Sequence, residues 1–468
     1  MSDKLSVGVA RADMTPPVGI AHASWGAQTH ERAVGVDLPL EVTALAISDG
    51  QRTTVTLSLD IVILWSEDDV TAIRKETAEL AEIPEEHVRV SYTHTHSGPC
   101  VNRENWFEEG DEMVDAYLDS LVSKATGTAL EAVESMEPAR VAAGTGHSEI
   151  AVNRRFQRPE DGRMIVGRNP DGPVDYEVGV LRFDTVAGEP LAAVANYACH
   201  PITVGPDNDL ITPDYPGVVR QTVEESTGAT CLFLQGAAGD VGPIHGVAKN
   251  GIDEYRPLGR RLGSEVARVW WSLDPRGREE RYVETLESGA PLAVYEYDYD
   301  DRTEQSHKVV SYDLELPLSD FSPLNEVEND YEEKMAELHR LRESGARESK
   351  IQAQAMECRR AELRRGRVDT FGGQSDVIFE LQVFTLGDSI AFVTIPGEPF
   401  VEIGMEIKAR SPFEHTFFSG YSNEKHAYIP TFENYENGGY EVDTTPFTPN
   451  TASIVIEETL EVLQRLKA

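Results

Sequence analysis

Lysine is scarce in this sequence: ten residues of 468, against 32 arginines and 81 acids, for a formal charge of −39. Such a surface lacks the basic patches that nucleic acids and anionic membranes require, so neither is expected as a partner. Long apolar runs are missing too. The most continuous one, Ile61-Val62-Ile63-Leu64-Trp65, is far shorter than the ~20 residues that span a bilayer. Met1 to Ser6 leads into the first strand without the apolar segment of a secretory signal, so a cytoplasmic protein is expected. The four cysteines, Cys100, Cys199, Cys231 and Cys358, form no CxxC pair and read as buried free thiols of a reducing compartment. The acid excess, with arginine favoured over lysine, reads as adaptation to molar salt. At ~1 M the Debye length falls to about 3 Å and surface repulsion is screened. An acidic protein of ordinary salt is the alternative.

Against these absences stands Thr93-His94-Thr95-His96-Ser97-Gly98-Pro99, which follows the extended segment 88–92. On a strand, residues i and i+2 share a face, so the two imidazoles are expected to point the same way. Neutral imidazole is a common ligand of zinc-like metals. A second strand-like run, 191–198, ends on Cys199-His200-Pro201, and the proline should leave His200 projecting from a strand terminus. Cys199 as a thiolate ligand is disfavoured, because adjacent strand residues face opposite sides. A small-residue turn, Gly236 to Pro243, follows the apolar strand 231–234. The apolar strand 390–395 runs into Pro396-Gly397-Glu398-Pro399, which puts a carboxylate at another strand end or in the first turn of a helix. Last comes a tract from 420 to 449 with Tyr428, Tyr435 and Tyr440.

Strand-like runs at 41–47, 53–64, 88–92, 140–144, 178–183, 191–198 and 379–386 alternate with helical ones at 66–81, 113–133, 215–227 and 258–272. The fold class is α/β: packed mixed β-sheets with helices outside and strand ends gathering at one edge. No linker divides residues 1–468, and no internal repeat is apparent. The stretch 326–367 is charged and nearly free of Gly and Pro, which predicts two helices hinged near Ser344-Gly345 and packed against the domain. The acids from Asp298 to Arg302 predict an exposed loop.

Together these segments resemble the catalytic domain of the neutral/alkaline, non-lysosomal ceramidases. The likeness rests on Arg11-Ala12-Asp13-Met14-Thr15-Pro16-Pro17, on THTHSGP, and on the order of the later motifs. It implies that one Zn2+ per chain is held by His94, His200, Glu398 and Tyr428. It gives His96, Arg154 and Tyr440 catalytic roles, with Arg155 as the alternative within Asn153-Arg154-Arg155. Two departures stand out. The ceramidase pattern reads Gly-Asp-Val-Ser-Pro with an essential serine, whereas this chain has Gly239-Asp240-Val241-Gly242-Pro243. The family's immunoglobulin-like C-terminal domain has no counterpart before Ala468. Glycine can neither attack a carbonyl nor hydrogen-bond a substrate hydroxyl. The resemblance therefore implies a zinc-dependent amide hydrolase working through metal-activated water on an N-acyl lipid or related acyl amide. A zinc esterase, a non-lipid amidase and a catalytically silent metal-binding scaffold are the alternatives.

Overall fold

The computed structural model describes residues 5–103, 107–248, 251–299, 305–423 and 427–468. Eight strands rich in Val, Leu, Ala and Thr form one mixed sheet. Their spatial order is Thr230–Gln235, Pro190–Tyr197, Glu177–Thr185, Glu137–His147, Ser6–Asp13, Glu41–Ser48, Thr53–Leu59 and Val88–Tyr92. The two outermost pairs are parallel and the inner ones antiparallel. A second sheet of four strands is ordered His307–Pro317, Asp376–Leu386, Ile390–Thr394 and His415–Ser419.

The two sheets are apolar on facing sides and bury those sides against each other. Val7, Leu45, Phe183 and Leu232 of the larger sheet share one core cluster with Phe384, Phe392 and Phe417 of the smaller. The last three rings stack in sequence at 4.4 and 4.9 Å, within the range of offset aromatic stacking. Helices cover the outer faces. Val70 and Ile73 of Glu67–Ala81, with Leu118 and Leu121 of Val114–Glu134, pack on Val42, Leu57 and Val90. Tyr215 and Val219 of Asp214–Thr227, with Leu258 and Leu262 of Gly251–Ser272, cover Val178 and Ala193. Val401–Arg410 and Thr451–Lys467 close the four-stranded sheet through Ile403, Ile407, Val455 and Leu463. The result is a helix, sheet, sheet, helix layering, as the α/β reading expected.

The helices Leu324–Glu343 and Glu348–Phe371 pack on each other, with Gly345 between them at φ +65°. Two readings are corrected. The segment from Asp298 begins inside a strand, Leu292–Tyr299, which pairs with Arg278–Leu286 as an exposed ribbon; residues 300–302 lie outside the described ones. Alternating tyrosines at 295, 297 and 299 give that strand its period of two. The predicted strand 53–64 stops at Leu59. Beyond it the backbone leaves the ladder, because the Ile61 and Val62 carbonyls turn to accept the backbone N–H and the ring Nδ1–H of His94.

Candidate metal centre

Segments that follow the strands converge on one buried point. The loop after Val88–Tyr92 carries His94 and His96, the loop after Pro190–Tyr197 carries His200, and the turn after Ile390–Thr394 carries Glu398. Residues 421–423 lie alongside Val88–Tyr92, through Tyr92 N–H to Tyr421 O at 2.9 Å and Asn423 N–H to Val90 O at 2.6 Å. The short parallel pair Glu398–Pro399 and Tyr428–Ile429 sets Glu398 beside Tyr428. Gly239 lets these chains approach: a Cβ there would stand 2.4 Å from the Glu398 carbonyl oxygen, so only glycine fits. Below the site Asp60, wholly buried, binds Arg220 and accepts from Thr93 Oγ1 at 3.1 Å, which fixes the residue before His94.

His94 and His96 reach the site by a route other than the one the strand geometry predicts. The strand ends at Tyr92, and His94 sits at φ +69°, in the left-handed region that non-glycine residues seldom adopt. The two rings meet edge to face with centroids 5.0 Å apart. A strained residue at a cluster of imidazoles is held by its surroundings, here the two carbonyls of the preceding loop.

The ligand atoms are aligned by hydrogen bonds on the far side of each ring. His94 Nδ1 bonds Val62 O at 2.6 Å and His200 Nδ1 bonds Ala238 O at 3.0 Å. Both Nε2 atoms are thereby left as lone pairs directed inward, the usual outer-shell arrangement of metal-binding histidines. They stand 3.1 Å apart. Glu398 Oε2 is 3.6 Å from the first and 3.7 Å from the second. Two ligands each ~2.0–2.1 Å from a tetrahedral zinc stand about 3.3 Å apart, so the triangle matches one face of such a site. Glu398 Oε2 is buried with no donor among the described residues, and burial raises its carboxyl to about 7. Arg154 is the nearby positive charge, and a cation bound at the cluster would satisfy the oxygen that no donor reaches. The residues present therefore fit a metal ion of the zinc type.

Three further groups surround this triangle. His96 donates from Nδ1 to Ser24 O at 2.9 Å, and the Trp25 ring lies 5.1 Å away, while its Nε2 is buried without a hydrogen-bond partner among the described residues. One ring nitrogen from each of His94, His96 and His200 lies within 4.8 Å of the others, so the three histidines could form a ligand group by themselves. Tyr428 lies beside Glu398, and its phenol oxygen accepts from Arg154 Nη2 at 3.0 Å. Tyr440, the first residue of the helix Tyr440–Thr444, is 46% exposed, and its ring stands 5.7 Å from that of Tyr428, at the rim.

The two neighbouring arginines separate in space. Arg154 donates through Nε to Glu441 Oε1 at 2.9 Å and through Nη2 to Tyr428. Arg155 donates to Glu441 Oε2 at 3.0 Å and to the Gly438 carbonyl at 2.6 Å, away from Tyr428. Arg154 is thus the one that faces the cluster. Glu441, 2% exposed, anchors both and was not singled out in the sequence; its only signal there is its place next to Tyr440. Tyr421 was missed as well: its ring packs 4.3 Å from that of His94. Asn153 holds Asp240 Oδ2 at 2.9 Å, and burial raises the Asp240 carboxyl to about 7. Gly242 lies beside Arg154, and a Cβ added there would meet Ile202 at 3.5 Å, an ordinary contact. Neither backbone nor space therefore forbids a serine at this position. The four cysteines are free and buried, and Cys199 belongs to no ligand group among the described residues.

The fold and site define a layered α/β protein with a buried cluster of histidines and a carboxylate beyond its strand ends, a group that could hold a metal ion. The chain belongs to the neutral/alkaline non-lysosomal ceramidase family, whose N-terminal model matches residues 5–248. It is 22% identical to the neutral ceramidase of Pseudomonas aeruginosa, over 94% of this chain and 69% of that protein. It is 26% identical to neutral ceramidase A of Dictyostelium discoideum, over 42% of this chain and 29% of that protein. The crystal structure of the Pseudomonas aeruginosa neutral ceramidase superposes with a TM-score of 0.68 at 18% identity, covering 99% of this chain and 74% of that one. At that identity the superposition speaks for the fold.

Proposed function

We propose that this protein hydrolyses the amide bond of an N-acyl lipid or related acyl amide, with one zinc ion held by His94, His200, Glu398 and Tyr428. The observation that carries the reading is the convergence of two histidine Nε2 atoms and an unpartnered carboxylate oxygen at 3.1, 3.6 and 3.7 Å. When bound there, zinc supplies Lewis acidity toward a carbonyl oxygen and toward water.

The chain's own groups divide the remaining work by position. His96 stays neutral, since burial holds it down at about 4, and its Nδ1 donates to Ser24. Its free Nε2 therefore accepts a hydrogen bond, from the attacking water or from the amine N–H. Arg154 keeps its charge beside Glu441, and it orients the Tyr428 phenol from the cluster's edge. Tyr440 brings a phenol O–H to the rim, where the leaving amine departs. Removing one such donor from a developing charge costs about 3 kcal/mol of barrier.

Gly242 leaves the turn without a hydroxyl, so no covalent acyl intermediate is formed there. Ser97, 1% exposed, shapes the turn, its carbonyl accepting from Thr212 N–H at 2.9 Å and from His22 Nε2 at 3.1 Å. The test is turnover of zinc-loaded protein on a panel of N-acyl amides and esters, with intact-mass spectrometry during the reaction. Amide cleavage without a mass adduct is expected, in the natural chain and in Gly242→Ser alike. A trapped acyl adduct on any side chain, or ester cleavage alone, overturns the reading.

A further inference from the structure

Arg154, which hydrogen-bonds Tyr428, also lines a cavity of about 340 Å³, a volume at the lower end of small-molecule sites. Phe156, Val166 and Ile202 make its wall largely apolar, Gly242 forms part of that wall, and Arg154 and Arg168 supply the charge. The two arginines differ in their commitments. Arg154 is buried and bound to Glu441 and Tyr428. Arg168, on the strand Met164–Asn169, is exposed and forms no ion pair among the described residues. Its stem is nonetheless held in place: a Cβ at Gly246 would stand 3.1 Å from Arg168 Cγ and 3.3 Å from Cδ, so the aliphatic arm lies against that backbone. The guanidinium is presented at an apolar wall, and its donors meet no acceptor among the described residues.

The surrounding charge gives this arrangement its meaning. A chain at −39 repels anions at long range, so an anionic ligand can be held only where a cation stands close. At position 242 the chain also lacks a hydroxyl with which to meet a hydroxyl of the ligand. The polar anchor of the cavity is thus a guanidinium, whose planar fork matches a carboxylate through two parallel hydrogen bonds.

We propose that Arg168 sets the specificity of this site toward acyl amides whose amine half carries a carboxylate beside an apolar group, that is, N-acyl amino acids with apolar side chains. This rests on reading the site as an acyl-amide hydrolase. The apolar group would lie on Phe156, Val166 and Ile202, and the carboxylate on Arg168.

Binding is measured first, by calorimetry at fixed salt, with two analogues that cannot be hydrolysed: an N-alkylsulfonyl phenylalanine and the matching N-alkylsulfonyl phenylalaninol. The natural chain should bind the carboxylate about tenfold to a hundredfold more tightly, the worth of a hydrogen-bonded charge pair. Arg168→Gln should abolish that preference while leaving affinity for the alcohol unchanged, which also shows that the variant folds. Arg168→Lys should keep part of it. Equal binding of the two analogues, a preference that survives Arg168→Gln, or no binding of either overturns the proposal. Turnover of N-lauroyl phenylalanine against N-lauroyl phenylalaninol is read separately. If the binding preference stands and neither amide is cleaved, the hydrolase reading fails while the anion site holds.

Discussion

His94 Nε2 and His200 Nε2 stand 3.1 Å apart, each ring tethered at Nδ1 to a backbone carbonyl of a neighbouring loop. Two neutral imidazoles cannot share one hydrogen bond when both carry their proton on Nδ1. A cation held between them, as in the proposed zinc site, would relieve their mutual approach.

One zinc per chain is accordingly expected by elemental analysis. His94→Ala or His200→Ala should lose most of it. His96→Ala should keep the metal and lose activity, because its ring meets the cluster from the Ser24 side. Loss of metal from the His96 variant while His94→Ala keeps it would show that His96, and not His94, is the ligand.

Glu441 holds Arg154 by one oxygen and Arg155 by the other, with all three side chains under 5% exposed. Glu441→Gln leaves two buried guanidinium groups facing one neutral amide. Breaking a buried ion pair costs about 3–5 kcal/mol, so a large fall in Tm is expected, together with lost activity as Arg154 leaves Tyr428. A melt unchanged within a degree would refute this anchoring role.

Burial raises the Asp214 carboxyl to about 6, against an ordinary 3.8, with Val204 N–H and Tyr215 N–H donating to it. The folded state thus binds this proton more tightly than the unfolded one. Its penalty is absent below about pH 4, grows as pH rises, and is fully present above about pH 6, where it reaches about 3 kcal/mol. Asp214→Asn should therefore gain stability relative to the natural chain between pH 4 and 6. Denaturant melts across that range would show a constant difference if Asp214 titrates normally.

The charge of −39 predicts a steep response to salt. Tm should rise from 0.1 M to 2 M KCl as repulsion among surface carboxylates is screened. A flat or falling Tm would rule out adaptation to molar salt.

The sequence by itself determined most of the element types and nominated the histidines, the carboxylate and the tyrosine that meet in the cluster. Period-two apolar runs set the strands at 88–92, 178–183 and 379–386, and THTHSGP, His200-Pro201 and Glu398-Pro399 marked strand ends, because these patterns are local in the chain. What brings those ends to one point is the burial of one sheet on another, which depends on contacts hundreds of residues apart. Tertiary structure alone ended the strand at Leu59, since only the folded loop offers the Ile61 and Val62 carbonyls to His94. It also turned His94 to φ +69°, where the strand period no longer predicts which way a ring faces. It chose Arg154 over Arg155 for the cluster because Glu441, 286 residues further on than Arg155, takes both arginines and leaves only the first within reach of Tyr428. Spacing along a chain can nominate a ligand, but the direction of its lone pair is set by the group hydrogen-bonded to the other side of the ring.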